Sequence, residues 1–509
     1  MVLLLLVVVP LAVTLLSLLP FEGFVRWLTA ASGIGCLVLS LFVIGPASSG
    51  TVTAFRYLRA DALSTVFLLG ATFVYAVTSV YAIGYLRAES AGHRSAESVA
   101  WFRSYSRRFY LGFNAFAWSL ICAPLMNGLA LLWVAIEVTT VVSALLVALD
   151  RTEEASEAAW KYVLIASSGL GIGLLATIFM YFAGSQVLGE SYDLGLDSLL
   201  GVARQLPPTP VRIAFVLAVV GFGTKVGLFP VHTWLPDAHA EAPTPVSAML
   251  SGSLLATSFY AILRYHQIAL RTLGPDFPQT VLLVFGVLSL LLASLYLLQQ
   301  RHLKRLLAYS SVEHMGILAI GISFGVTVAF VGVMLHVLAH AAAKASAFMG
   351  AGILVHSYGT RTIQSIRDAV GRLRWTAPLF LMAVLALSAM PPFGLFRSEF
   401  QIVAGGLSAG RASATAAVIL IVLVTVAFAG LIGSTTGMLY RPQSVGRGSE
   451  PVPGGPDAEI EGPTATEPGL LMTIPMAVGI GVLLLLGIYL PMPLEHLLSA
   501  AATELKGAS

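Results

Sequence analysis

Residues 221–250 read GFGTKVGLFPVHTWLPDAHAEAPTPVSAML, and this stretch decides the fold. An apolar helix arrives from the N-terminal side, carries Lys225 inside it and meets Pro230 five residues later. Pro236, Pro243 and Pro245 follow. Proline removes a backbone donor and breaks a helix. A charge at mid-bilayer costs at least ~2.5 kcal/mol on insertion scales. Backbone freed at a break must line a cavity or meet protein. An interior lysine beside a broken helix therefore points to an ion-coupled transporter, provided that the rest of the chain is built for a membrane.

The composition meets that condition. Of 509 residues, 57% are hydrophobic and only 10% charged, against roughly 25% charged in a soluble domain. So few charges cannot cover a water-facing surface, and most of the exterior must meet lipid. A net charge of +3 gives no basic stripe for nucleic acid, which is excluded as a partner. Cys36 and Cys122 both lie in apolar runs and read as core fillers. The four-cysteine spacing of an iron–sulfur site is absent, so no cofactor and no metal is expected in this chain.

A span needs about 20 apolar residues. That rule marks fourteen segments: 2–20, 25–45, 62–85, 109–126, 128–149, 160–184, 211–230, 243–264, 279–297, 305–324, 326–354, 377–404, 413–440 and 470–490. The first is read as a span and not as a secretory signal, because it lacks a basic leader and a clear cleavage site. Of 28 Lys and Arg residues, seventeen fall in or beside the odd-numbered loops and eight in the even-numbered loops and C-terminal tail. Lys225, Lys344 and Arg397 lie within spans. Positive charge collects on the cytoplasmic side, so odd loops are expected inside a cell (inner) membrane and both termini outside. The stretch 441–468 is rich in Pro, Gly and Ser and reads as a flexible cytoplasmic linker. No loop is long enough for a folded catalytic domain.

The expected fold is thus all-α and polytopic, with breaks in the seventh and twelfth segments. Its expected divisions are 1–108 (three helices and a cytoplasmic loop), a first five-helix repeat at 109–264, a second at 279–440, the linker, and a C-terminal helix at 469–509.

Charges inside spans are candidates for function. Glu137 sits mid-way along 128–149, and Lys225 in 211–230. His336, His340 and Lys344 recur at i, i+4 and i+8, which stacks them on one helix face about 6 Å apart. That is relay spacing once waters bridge the gaps. The alternative is a set of interhelical hydrogen bonds. A zinc site would need a third ligand that the neighbouring sequence does not supply. Arg397 and Glu399 follow the double proline at 391–392, and Glu313 and His314 lie near the start of 305–324. A buried Glu137–Lys225 pair could switch when a proton reaches either partner, or could merely tie two helices together.

Taken together, Glu137, GFGTKVGLFPVHTWLPDAHAEAPTPVSAML, LKRLLAYSSVEHMG, HVLAHAAAKASAFMG and MPPFGLFRSEF resemble the antiporter-like membrane subunits of complex I, Mrp cation/proton antiporters and group 4 membrane-bound hydrogenases. The resemblance covers roughly residues 60–440. SSVEHMG and EAPTPVSAMLSG look most like the F component of hydrogenase-4, of the formate hydrogenlyase type. It implies a fourteen-helix core with two inverted five-helix repeats, and a proton path through Glu137, Lys225, His336, His340, Lys344 and Glu399, with Glu313 and His314 beside it. Many members carry Lys or His midway along the eighth helix, whereas SAMLSGSLLATSFYAIL has neither; Glu313, His314 or ordered water would have to complete the line.

The expected function is a proton-translocating, non-redox subunit of an energy-converting oxidoreductase, of hydrogenase-4 or NADH:quinone oxidoreductase type. Partner subunits, membrane and peripheral, would carry iron–sulfur clusters or a NiFe centre. The competing reading is an Mrp-like cation/proton antiporter subunit, or a membrane partner of another ion-coupled transporter, moving H⁺ or Na⁺. An enzyme with quinone chemistry inside this chain is disfavoured, because no cofactor motif is visible.

Overall fold

The computed structural model describes residues 1–91, 95–442 and 467–507. Its helices, in chain order, are α1 (Val2–Leu16), α2 (Glu22–Leu41), α3 (Ile44–Ser49), α4 (Ala62–Ser90), α5 (Ala96–Cys122), α6 (Leu129–Val147), α7 (Glu153–Leu188), α8 (Leu196–Val202), α9 (Pro208–Val226), α10 (Trp234–Glu241), α11 (Thr244–Met249), α12 (Leu255–Leu273), α13 (Asp276–Leu297), α14 (Leu303–Ser323), α15 (Thr327–Tyr358), α16 (Ala369–Arg372), α17 (Thr376–Leu387), α18 (Gly394–Ser408), α19 (Arg411–Tyr440), α20 (Leu470–Ile488) and α21 (Met492–Leu505). Among the described residues there is one hairpin, β1 (Val52–Ala54) with β2 (Leu58–Ala60), antiparallel with Thr53 opposite Arg59.

Each of the fourteen expected segments falls on helix. Among the described residues, eleven helices are long and apolar enough to cross a membrane. The chain is therefore a polytopic all-α membrane protein. The other expected segments rest on α1, on α17 with α18, and on α5. The α1 and α17 helices are apolar but short. The first half of α5 is polar, which is why 86–109 reads as a loop in the sequence. Instead, α4 continues to Ser90 and α5 starts at Ala96, where Ser95 Oγ caps it by accepting from Ser98 N at 3.2 Å. The linker expected at 441–468 lies almost wholly outside the described residues.

Two layers of burial organise the bundle. Helices α4, α12, α14 and α15 are enclosed by protein, whereas fewer than half of the residues in the apolar stretches of α2, α6, α7, α13, α19 and α20 are buried. Between helices in lipid there is no hydrophobic drive, so close packing of small residues holds them together. The α13–α14 crossing shows this. A Cβ on Gly286 would lie 2.9 Å from Gly316 O, and one on Gly316 2.9 Å from Gly286 O. Alanine at either position would push these helices apart.

The breaks expected from proline are present. The α9 helix stops at Val226, four residues short of the expected end, because Gly227 turns left-handed (φ 82°). Its loose ends are satisfied by protein: Trp234 Nε1 donates to Thr224 O at 2.8 Å, and Phe229 N donates to Ser289 Oγ at 2.9 Å. Residues 388–393, with Pro391 and Pro392, separate α17 from α18. A π-turn at Leu250–Leu254 joins α11 to α12, and the helix then runs on past the expected end at residue 264 to Leu273.

Two features were not expected. Arg264, counted as a loop charge, is buried and pairs with Asp61 at 2.6 Å. Asp61 also pairs with Arg59 and caps α4 by accepting from Ser64 N at 2.8 Å. The α21 helix packs across α4 and places Glu504 on the same α4 end, accepting from Ala62 N at 3.1 Å and Leu63 N at 3.2 Å. The two Glu504 oxygens thereby satisfy two of the free N–H groups at the helix N-terminus.

Candidate functional site

Lys225 lies one residue before the end of α9 and is fully buried. Its Nζ donates to Thr140 Oγ1 at 2.8 Å and to Tyr162 OH. Tyr162 OH is also 2.7 Å from Ser143 Oγ. Aromatic faces close the remaining sides, with Nζ 4.5 Å from the Tyr162 ring centre and 5.9 Å from that of Trp234; each ring attracts a cation. The expected direct pair with Glu137 is not formed. Glu137 lies one turn before Thr140 on α6, half-buried, and accepts from Ser167 Oγ at 3.2 Å. Its second oxygen has no partner.

Lys344 on α15 repeats the arrangement. It is fully buried and donates to Leu307 O at 2.8 Å and to Ser310 Oγ, both on α14. Glu313, buried, lies one turn beyond Ser310. Both lysines are therefore held by neutral oxygens, each with a glutamate one turn along the contacted helix.

One helical turn separates each member of the α15 series, and His336, His340 and Lys344 do share one buried face. The His336 and His340 ring centres stand 6.3 Å apart, matching the spacing read from the sequence. His314 of α14 fits between them, 5.1 Å from each ring centre. Its Nδ1 is 3.1 Å from His336 Nε2 and 4.0 Å from Glu399 Oε1. The His336 Nδ1 is 3.0 Å from Ser398 Oγ. Neither ring nitrogen of His340 has a hydrogen-bond partner, nor does His314 Nε2. Ser398 and Glu399 come from α18, just beyond the double-proline break, so the break delivers an acid to the histidines. Arg397, two residues earlier, is only half-buried, and no ion pair joins it to the cluster among the described residues.

The eighth-helix gap has a partial answer. Ser251 sits in the π-turn, and its Oγ lies 2.7 Å from Ser311 Oγ, next to the Ser310 that holds Lys344. His239 of α10 is fully buried, with neither ring nitrogen hydrogen-bonded. It stacks on Phe348, one turn from Lys344, with ring centres 5.3 Å apart. The sequence reading missed His239, Tyr162, Thr140, Ser143, Ser310 and Ser398. His239 stood in a quoted motif and only needed to be counted as buried; the hydroxyls carried no signal.

The sequence comparisons give the family. Residues 126–427 match the family described as NADH:quinone oxidoreductase/Mrp antiporter, TM. The chain belongs to that family. It is an antiporter-like membrane subunit of the complex I, group 4 hydrogenase and Mrp superfamily. It is 34% identical over 372 residues to a hydrogenase-4 component F homolog of Methylacidiphilum infernorum (isolate V4), covering 72% of this chain and 75% of that protein. It is 30% identical to NADH-quinone oxidoreductase subunit N of Desulforudis audaxviator (strain MP104C), over 70% of this chain and 69% of the relative. Its fold matches a chain of the Mrp complex from Dietzia sp. DQ12-45-1b with a TM-score of 0.82, at 18% identity, covering 99% of this chain and 97% of the other. The matched residues contain every one of the eight sequence-predicted site residues, from Glu137 to Glu399.

Proposed function

We propose that this antiporter-like subunit translocates protons along Glu137, Lys225, Lys344 with Glu313, the His340–His314–His336 cluster, and Glu399. One observation carries the reading: three histidines and a glutamate from three helices converge in the enclosed core, with His314 within 3.1 Å of His336 and 4.0 Å of Glu399. Titratable groups are costly at this depth, and a cluster in which His340 and His314 leave three ring nitrogens without partners is a poor way to hold helices together. Each ring can take a proton on one nitrogen and release it from the other. The lysines suit charge transfer, because hydroxyl partners release an ammonium more easily than a carboxylate would.

In this reading the divisions at 109–264 and 279–440 are the inverted repeats, both termini face outward from the inner membrane, and redox chemistry sits in partner subunits bearing iron–sulfur clusters or a NiFe centre. The similarity to a hydrogenase-4 component F homolog supports that assignment. Affinity purification from native membranes tests it. Nickel or iron–sulfur subunits should come down with the chain, and the complex in vesicles should acidify one compartment when given its electron donor. Cation/proton exchange by the purified chain without partners would instead establish the Mrp-like reading.

A further inference from the structure

Where α5, α6 and the start of α7 meet, the surface holds a groove of ≈ 580 Å³. Its walls are apolar, formed by Gly112 and Ala115 of α5 and by Val142, Leu145 and Leu146 of α6. Arg108, midway along α5 where its polar first half ends, and Arg151, just after α6, line it at one end. Arg108 is half-buried, with Nε donating at 3.2 Å to Ser104 O of its own helix. Arg151 is exposed, just after α6, in the left-handed region (φ 57°). Neither has an ion-pair partner among the described residues. A second hollow of ≈ 340 Å³ shares Leu145, Ala148 and Ser156 with the first. It continues between α6 and α7 to Thr140 and Ser167, the hydroxyls that hold Lys225 and Glu137. Trp160, 64% exposed, stands beside it.

We propose that this groove is a binding site for one anionic phospholipid. Charge and polarity complementarity select that occupant. Two unpaired arginines stand at the end where α5 and α7 leave the apolar segment, and cations at that level attract anionic headgroups. An exposed Trp beside the groove suits the same interfacial layer. Below it the wall is aliphatic and long, which fits an acyl chain. The phosphate pairs with Arg108 and Arg151, and the chain lies along α6 toward Thr140 and Ser167. There it excludes water from the lipid-facing side of Glu137. This consequence rests on the proton-path reading, whereas the lipid site itself does not.

The test reads lipid retention and not flux. The tagged complex is exchanged into nanodiscs of equal phosphatidylglycerol and phosphatidylcholine, repurified in detergent, and its retained lipid quantified. The wild type should keep phosphatidylglycerol in preference. Arg108→Gln with Arg151→Gln should lower that preference about thirty-fold, the factor that two cations at about 1 kcal/mol each supply. Ala115→Phe keeps both charges but fills the groove, and should lose retention as well; it decides the matter if the double variant fails to assemble. Equal retention of the two lipids by the wild type, or undiminished preference in either assembled variant, would overturn the proposal. So would a helix of a partner subunit occupying the groove in a structure of the complex.

Discussion

Replacing Lys225 separates a proton carrier from a strut. Lys225 makes two charge-assisted hydrogen bonds, to Thr140 and Tyr162. Each such bond is worth about 1.5–3 kcal/mol, so the pair amounts to about 3–6 kcal/mol, which corresponds to roughly 10²–10⁴ in a rate if transport depends on them. Lys225→Met is nearly isosteric and removes the charge. It strands little, since Tyr162 retains Ser143 at 2.7 Å and Thr140 faces its own Ile136 carbonyl at 3.4 Å. The complex should therefore assemble. Lys225→Arg keeps the charge and the donors, but a guanidinium does not release its proton in the accessible pH range. Both variants should lower proton flux at least about a hundredfold, read in vesicles at matched complex content. If Lys225→Arg supports flux within about twofold of wild type, Lys225 serves as a fixed cation and the proposed path fails at its first lysine.

Further outcomes follow from other parts of the molecule. His340→Ala breaks no hydrogen bond, because neither ring nitrogen has one, so assembly should survive while flux falls about a hundredfold, the usual contribution of a positioned proton carrier; normal pumping would make His340 packing only. Burial and the Asp61 carboxylate push Glu504 up to about 7 from an ordinary value of 4.5. The docked state thus holds a proton that the undocked state loses between those values, and docking of α21 should weaken as pH rises from about 5 to 7. Hydrogen exchange of α21, corrected for intrinsic rates, should speed up relative to Glu504→Gln across that window; parallel behaviour of the two proteins would refute it. For topology, Ser104→Cys should react with an impermeant thiol reagent from the cytoplasmic side and Thr503→Cys from the opposite side, and reversal at either site would overturn the orientation.

How much of this was legible depended on how strongly a residue contrasts with its surroundings. Lys225, Lys344, Glu313 and the histidines stand out because a charge in an apolar run is expensive, and the structure buries seven of the eight predicted residues, all but the half-buried Glu137. The helix breaks were legible because proline acts locally. The hydroxyls were not. Serine and threonine in a membrane helix ordinarily satisfy themselves on the preceding turn, as Ser143 does on Thr140 O at 3.3 Å and Thr140 does on Ile136 O. Whether such a group also reaches a lysine depends on helix packing, which one chain's periodicity does not encode. The direct Glu137–Lys225 contact is absent for the same reason: sequence showed two opposite charges at similar depth, but a one-turn offset put Thr140 in the place given to the carboxylate. Polarity hid α5's first turns, and α21 is only 14 residues long, too short for a span rule to find.

That offset has a consequence for mechanism. A lysine bonded directly to a buried carboxylate sits in a deep well, since separating such a pair costs about 3–5 kcal/mol. Both lysines avoid that well. Lys225 rests on Thr140 and Tyr162, with Glu137 one turn away; Lys344 rests on Ser310 and the Leu307 carbonyl, with Glu313 one turn away. A neutral oxygen holds an ammonium without trapping it, while a glutamate one turn, about 5.4 Å, along the helix stands ready to draw it. The same construction recurs at two sites, on different helices: a neutral resting place for the lysine and an acid one turn away. Two such positions are what stepwise charge transfer requires. Swapping the offset for contact, by Thr140→Glu with Glu137→Thr, should convert the switch into an ion pair: assembly kept, flux lost.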